Sequence, residues 1–158
     1  MIFLRINNKH LCEIFEPTLD VSSWSEEKIR AYSASKLMLP TEVTLVSETY
    51  SRDAERTADF ELEHLVLVNR KAKPEFTWAY LKTEYAERLF SFLGYNYDFK
   101  DDNGTIVPRP AADIHIEYYD FVGNRTIVAY LGQTLEGTLI DYEGSQYWQN
   151  FRIAFPER

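Results

Sequence analysis

Apolar and polar positions alternate along most of this chain, and the one clear change of period marks its centre. Phe76, Trp78 and Tyr80 are separated by Thr77 and Ala79, the period-2 pattern of a strand with one strongly apolar face. From Thr83 the spacing becomes helical. Thr83 stands at an N-cap position, Glu84 brings negative charge to the first turn, and Tyr85, Ala86, Leu89, Phe90, Phe92 and Leu93 follow. Gly94 suits the left-handed residue that ends many helices. The pattern predicts a strand over 75–80 running into a helix over about 83–93.

Nearly everything else with a pattern reads as strand. Residues 2–6 and 11–15 flank Asn7-Asn8-Lys9-His10, a polar connection of good turn formers, and predict an opening hairpin that Pro17 ends. In 60–70, Phe60, Leu62, His64, Val66 and Val68 share one face and Leu65 and Leu67 the other, so the later half reads as buried on both sides. Residues 95–99 predict a short strand. Residues 100–110 predict a loop, because Asp102-Asn103-Gly104 is a turn signal and Pro108 and Pro110 bar a central strand. Alternating runs at 114–119, 126–131, 134–140 and 147–155 are separated by Gly123-Asn124, Gly132-Gln133 and Glu143-Gly144-Ser145. Each separator suits a hairpin, which predicts an antiparallel meander.

Residues 17–59 differ in texture. Serines are scattered among charges, and only Leu37-Met38-Leu39 and the run 43–46 are apolar. These two pieces read as limbs of a long hairpin, and 48–59 as a projecting loop or frayed helix. The stretch from about 28 to 59 is therefore expected to be a loop or arm, either mobile or ordered against a neighbouring subunit. Met38 and its neighbours would be poor residues to leave in water, which favours the second. The expected contact residues are Arg30, Tyr32, Leu37, Met38, Leu39, Val43 and Leu45.

The chain has 158 residues, enough for a single domain with one core, and shows neither repeat nor linker. Aromatics make up 15%, with 11 Tyr and 10 Phe. That favours sheet and leaves tyrosines for interfaces, where a ring is buried while its hydroxyl stays bonded. The expected fold class is mainly β (α+β): an antiparallel β-sandwich or half-barrel with one flanking helix. The formal charge of -8, from 17 basic and 25 acidic residues, repels polyphosphate and argues against a nucleic-acid-binding surface. Arg5 and Lys9 interrupt the apolar start of the chain, which predicts neither a signal peptide nor a membrane span, and hence a soluble protein made in a cytoplasm.

Candidate chemistry is sparse. Cys12 is the lone cysteine and reads as a small strand residue, which excludes an internal disulfide. His10, His64 and His115 form no metal-binding pair, and no metal or cofactor is expected. Glu61 with Glu63, Asp113 with Glu117, and Glu136 with Asp141 are carboxylate pairs of the kind a glycosidase uses, and exposed strand faces explain them equally well. No nucleophile elbow or phosphate-binding glycine loop is present. Tyr80, Tyr85, Tyr95, Tyr97, Tyr118, Tyr119, Tyr147 and Trp148 could stack on sugars, although core and subunit contact is the simpler use.

The order of elements resembles that of small structural proteins from the tail-gene clusters of tailed bacteriophages and prophages. The matching pieces are Leu4-Arg5-Ile6-Asn7-Asn8-Lys9, the stretch from Arg70 to Trp78, and the helix with Leu81, Leu89 and Leu93. Ile116-Glu117-Tyr118-Tyr119-Asp120, Tyr130-Leu131-Gly132, and Trp148 with Phe151-Arg152-Ile153 complete them. The loop at 98–113 is longer than the family plan, and the glycine usual in the early polar region is missing. The resemblance implies a tail-tube-like fold and a structural virion component: tube, tail-completion or baseplate. Such a protein is no enzyme. It would assemble into a homo-oligomeric ring with other tail proteins, and an acidic lumen would let DNA pass. A glycan-binding β-sandwich is the alternative, and an acid-pair hydrolase a more distant one.

Overall fold

The computed structural model describes residues 2–50, 69–94, 102–104, 113–132 and 135–158, with the side chains of 46–50 and 69–70 excepted. The strands expected at 60–68 and 95–99, most of the loop at 100–110, and residues 51–59 lie outside the described residues. The chain opens with a tighter hairpin than expected, in which β1 (Leu4–Ile6) and β2 (Lys9–His10, part of the expected connection) are joined by Asn7 and Asn8. Both asparagines take positive φ, 50° and 64°, the left-handed pair that a tight hairpin turn needs and that Asn tolerates. Beyond His10 the expectation fails. Leu11–Phe15 is a short helix, α1, not a strand. Leu11, Cys12, Ile14 and Phe15 are all buried, and a short apolar run of this kind reads equally well as helix or strand.

A second helix, α2 (Glu26–Ser35), occupies the stretch expected to project. The Ser25 hydroxyl accepts the Lys28 N–H at 3.2 Å, and Glu26 and Glu27 sit in the first turn. Only Ile29 and Ser33 are buried, so the apolar stripe is too thin to announce a helix. The helix ends in a Schellman turn: the Met38 N–H reaches Ser33 O at 3.0 Å and the Leu37 N–H reaches Ala34 O at 3.2 Å. Leu37 therefore fills the left-handed position usually given to glycine, with φ 56°, and its side chain is 56% exposed. Met38 is delivered into the core, fully buried, and its carbonyl accepts the Trp78 indole N–H at 2.8 Å. Thr41 then ties the chain to the sheet. Its N–H donates to Thr77 O at 2.8 Å, and its hydroxyl accepts the Ala79 N–H at 3.1 Å.

The strand β3 (Glu42–Tyr50) continues from there, antiparallel to β4 (Asn69–Lys82) with Glu42 opposite Thr77 and Tyr50 opposite Asn69. The expected hairpin limb at 43–46 is thus the edge of a sheet. In β4, Ala72, Pro74, Phe76 and Trp78 alternate inward. Tyr80, expected beside Phe76 and Trp78, faces out, and Leu81 takes the buried place. The facing strand β8 (Ser145–Ala154) irregularly accommodates Asn150 at φ 53°, and the β7–β8 register slips there. A bulge of this kind shifts which side chains face the core. Helix α3 (Thr83–Leu93) lies where expected, with Gly94 at φ 73° closing it, but Lys82 is the N-cap and Thr83 the first helical residue. Tyr85 stacks on Phe15 at 5.1 Å, Phe90 meets Phe151 at 6.0 Å, and Arg88 donates to Phe15 O at 2.6 Å. In this way α3 clamps α1 to the sheet.

All four C-terminal strands are present: β5 (Ile114–Asp120), β6 (Gly123–Ala129), β7 (Glu136–Tyr142) and β8. Their connection is not one meander. The sheets run β2-β1-β5-β6 and β3-β4-β8-β7, so β6 and β7 do not pair with each other. Instead the chain passes from β6 towards β7 along the final segment. Arg158 N–H bonds Val128 O at 2.9 Å, Tyr130 N–H bonds Pro156 O at 3.1 Å, and Gly132 N–H bonds Ala154 O at 2.9 Å. Gly132 is needed for that approach and not for a turn: a Cβ there would lie 3.0 Å from Ala154 O. On its other edge the same segment bonds β4, with Phe155 N–H to Pro74 O at 3.0 Å and Glu157 N–H to Ala72 O at 2.9 Å.

The fold is mainly β, an antiparallel α+β sandwich of two four-stranded sheets with three helices among the described residues, two more than the one expected. Phe76 meets Tyr118 edge-on at 6.3 Å and Phe155 at 6.0 Å, which places the core between the sheets.

Substituting the two residues at the end of α2 separates their roles. Met38→Ala should lower stability by about 2–5 kcal/mol through the cavity it leaves. Leu37→Gly should raise it by about 1 kcal/mol by relieving the left-handed backbone. Urea unfolding measures both, and an unchanged midpoint for Met38→Ala would mean that 30–46 is a free arm after all.

Candidate interaction surface

The residues expected to form an intersubunit arm are spread over helix, turn and strand. Arg30 is exposed on α2, at the rim of a recess beside β1 that holds about 20 Å³, room for a water molecule. The Tyr32 hydroxyl donates to Glu16 Oε2 at 2.5 Å, and its ring meets Trp24 at 5.3 Å. That bond to Glu16, with some help from burial, pushes the Tyr32 pKa up to about 12. Met38 is in the core and Leu39, Val43 and Leu45 are half-buried against it. Of the apolar anchors expected, only Leu37 stands out in solvent.

The large exposed apolar residues cluster elsewhere. The β5–β6 turn carries Tyr119, Phe121 and Val122, which are 65%, 76% and 90% exposed. Asp120 pairs with Gly123 at the base of this turn, and Gly123 takes φ 115°. Hairpin turns are normally built from Asn, Asp and Gly, so local geometry does not call for Phe-Val at the tip. The second cluster lies where β4, β7 and β8 run on beyond the bulge. Tyr80 and Tyr142 are exposed there on one face, and Leu139 is exposed on the opposite face, in register with Trp148 and, beyond it, buried Leu81. In register, Tyr80 faces Gln149, Lys82 faces Tyr147, Tyr147 faces Ile140 and Tyr142 faces Ser145, so Tyr80, Tyr147, Ile140 and Tyr142 share one face. Gly137 permits the bulge, since a Cβ would meet the Trp148 ring at 3.3 Å.

Beneath the first tip is a built polar network. Asp120 is 8% exposed. Its Oδ1 accepts the Phe121 N–H, and its Oδ2 accepts Arg125 Nη1 at 3.1 Å and the Tyr118 hydroxyl at 3.4 Å. Arg125 Nη2 reaches Glu157 Oε2 at 3.3 Å, and that oxygen also accepts the Ala72 N–H at 2.9 Å. The chain of contacts runs from the tip through β6 and the C-terminal segment to β4. Burial alone would raise the Asp120 pKa. The hydrogen bonds from Arg125 and Phe121, with the Arg125 charge, outweigh it and hold the pKa below the ordinary carboxylate value. Burial first of all pushes Tyr118 up to about 12.

The residues weighed for catalysis or metal binding do not converge. Glu117 pairs with Arg5 at 3.3 Å, Asp113 with Arg158 at 2.5 Å, and Glu136 with Arg152 at 3.9 Å, so these carboxylates face arginines and not one another. Glu61, Glu63 and His64 lie outside the described residues. His10 approaches Glu26 at 3.6 Å, while His115 is exposed on β5. Cys12 is buried on α1, a helix residue and not the strand residue expected, and burial pushes its thiol pKa up. Among the described residues no group of three His, Cys, Asp or Glu could hold a metal ion, and no helix is long and apolar enough to cross a membrane.

Sequence reading ended the strand at Tyr119 and placed the turn at Gly123-Asn124, which left Phe121 and Val122 unassigned between them. The available signal was two adjacent large apolar residues abutting a glycine, which breaks the alternation of β5 and shifts the turn back onto them. The chain matches no known family model, no curated protein and no solved structure.

The depressed Asp120 pKa fixes the sign of a pH effect. The stability it contributes is complete above the unfolded pKa of about 3.9 and is lost as pH falls below it, towards the folded value. Asp120→Asn should therefore be less stable than the parent at neutral pH by about 1–3 kcal/mol. The gap should close in acid. Urea midpoints for both proteins between neutral pH and pH 3 test this, and a gap that stays constant would remove the ionised carboxylate from the account.

Proposed function

We propose that this chain is a structural subunit that works by self-association, without catalysis, as a ring-forming component of a phage-tail-like particle. The observation that carries the reading is the Phe121–Val122 tip: two large apolar side chains, 76% and 90% exposed, at a turn whose geometry asks for neither. Their burial in a partner would be worth far more than their exposure in a lone subunit. A second exposed aromatic surface, with Tyr80 and Tyr142, lies on one face of β4, β7 and β8 beyond the bulge. Two different surfaces of this kind on one chain suit heterologous, head-to-tail contact, in which one surface of a subunit meets a different surface of the next.

The family resemblance of the sequence supports the tail assignment, as does the sandwich with a helix against one sheet. The contact has moved from the expected arm at 30–46 to the hairpin tip. In this reading the partners are sister copies and other tail proteins, the site of action is the virion, and synthesis is in the bacterial host cytoplasm. The formal charge of -8 suits a ring whose lumen DNA passes without sticking.

Tyr80 and Tyr142 on the exposed ribbon support a second reading, a glycan-binding surface on which sugar rings stack. A glycan array probed with the parent and with Tyr80→Ala decides it: binding lost in the variant would favour a receptor-binding module.

Native mass in solution tests the main reading. The parent should form multi-subunit species at micromolar concentration, and Phe121→Ser with Val122→Ser should weaken association at least tenfold while leaving the fold intact. A parent that stays monomeric at tens of micromolar, or a double variant that associates as before, would overturn it.

A further inference from the structure

We infer that Asp120, braced by Arg125, is the positioning residue of the Phe121–Val122 tip and presents it as a fixed knob. The inference rests on the reading of that tip as an assembly contact. A two-residue hairpin turn at the end of a sheet is ordinarily among the looser parts of a fold. Here one buried carboxylate joins three things. It accepts the Phe121 N–H, which belongs to the tip itself, and it accepts the Arg125 guanidinium and the Tyr118 hydroxyl from the two strands below.

Arg125 is itself held, because its other terminal nitrogen lies 3.3 Å from Glu157, whose carboxylate and N–H both bond Ala72 of β4. Asp120 thus refers the tip to both sheets. Charge-assisted bonds of this type are shorter and stronger than neutral ones. Ordering a loop in advance removes a cost that binding would otherwise bear, so a fixed tip docks more tightly than a loose one with the same side chains. The device also explains a buried acid next to the most exposed apolar pair among the described residues: the apolar atoms make the contact, and the acid aims them.

Asp120→Asn and Arg125→Met test this, with Arg125→Lys as the conservative control. The first readout is independent of assembly: backbone ¹⁵N order parameters of the chain under monomeric conditions. Phe121 and Val122 should be ordered in the parent, at about 0.85, and fall below about 0.6 in Asp120→Asn and Arg125→Met, while Ile116 in mid-strand is unchanged. The Phe121 amide proton resonance should also move upfield when the carboxylate is replaced. The second readout is association, which should weaken about tenfold in both variants with Phe121 and Val122 intact, and recover in part in Arg125→Lys.

Order parameters that stay at the parent value would overturn the inference. So would a disordered tip that associates as tightly as the parent. A parent that never associates would instead defeat the assembly reading, and the order parameters would still decide whether Asp120 positions the tip. Should Asp120→Asn fail to fold, Arg125→Met carries the same comparison, since its side chain is partly exposed and its loss leaves the core untouched.

Discussion

Residues 155–158 hydrogen-bond on both edges, and that double bonding makes one body of two sheets. On one side Phe155 and Glu157 donate to Pro74 and Ala72 of β4, and on the other the segment pairs with Val128 and Tyr130 at the end of β6. A buried backbone group must find a partner, so the sheets cannot part here without stranding several at once. Gly132 lets the strands come this close. The same closure sets the core: with the sheets joined along this line, Phe76 of one faces Tyr118 of the other, and Phe155 fills the corner between them. It also explains why β6 and β7 lie in different sheets although they follow one another in the chain.

The helices depend on a different economy of polar groups. The region before β3 is poor in apolar residues, yet it is anchored by main-chain bonds more than by burial. Ser25 starts α2, the Schellman turn ends it, and the carbonyl that follows receives the indole of Trp78. Trp78 is the largest fully buried side chain, and its N–H requires an acceptor in the core. Met38 supplies that acceptor and its own side chain together. The segment could not project outward without leaving the indole unpaired, a cost comparable to a lost buried hydrogen bond.

The closure line and the exposed tip are linked. Glu157 belongs to the segment that joins the sheets, and through Arg125 it reaches the carboxylate under Phe121 and Val122. Rigidity produced in the core is carried outward to the part of the surface where apolar atoms meet water. A surface made this way suits contact with another protein, since a preordered apolar knob loses little freedom on docking. Of the carboxylates considered for catalysis, Glu117, Asp113 and Glu136 each face an arginine.

Much of this was legible in the sequence, and what was not has a physical reason. The Asn7-Asn8 turn, the α3 helix with its Gly94 stop, and the Glu143-Gly144 turn could be read directly, because each depends on residues adjacent in the chain. The alternation in β4 up to Trp78, and the four C-terminal strands, were legible for the same reason. Leu11–Phe15 was not, since five residues hold too few turns to distinguish a helix from a strand. The side on which Tyr80 falls goes with the irregularity of the neighbouring strand at Asn150, and the meaning of Gly132 was set by Ala154, both far away in sequence. Periodicity along the chain determined that the protein is a β structure with an amphipathic helix. Only long-range pairing decided that Met38 is buried and that Phe121 and Val122 are left at the surface, because burial depends on which strands meet, and no local pattern records that.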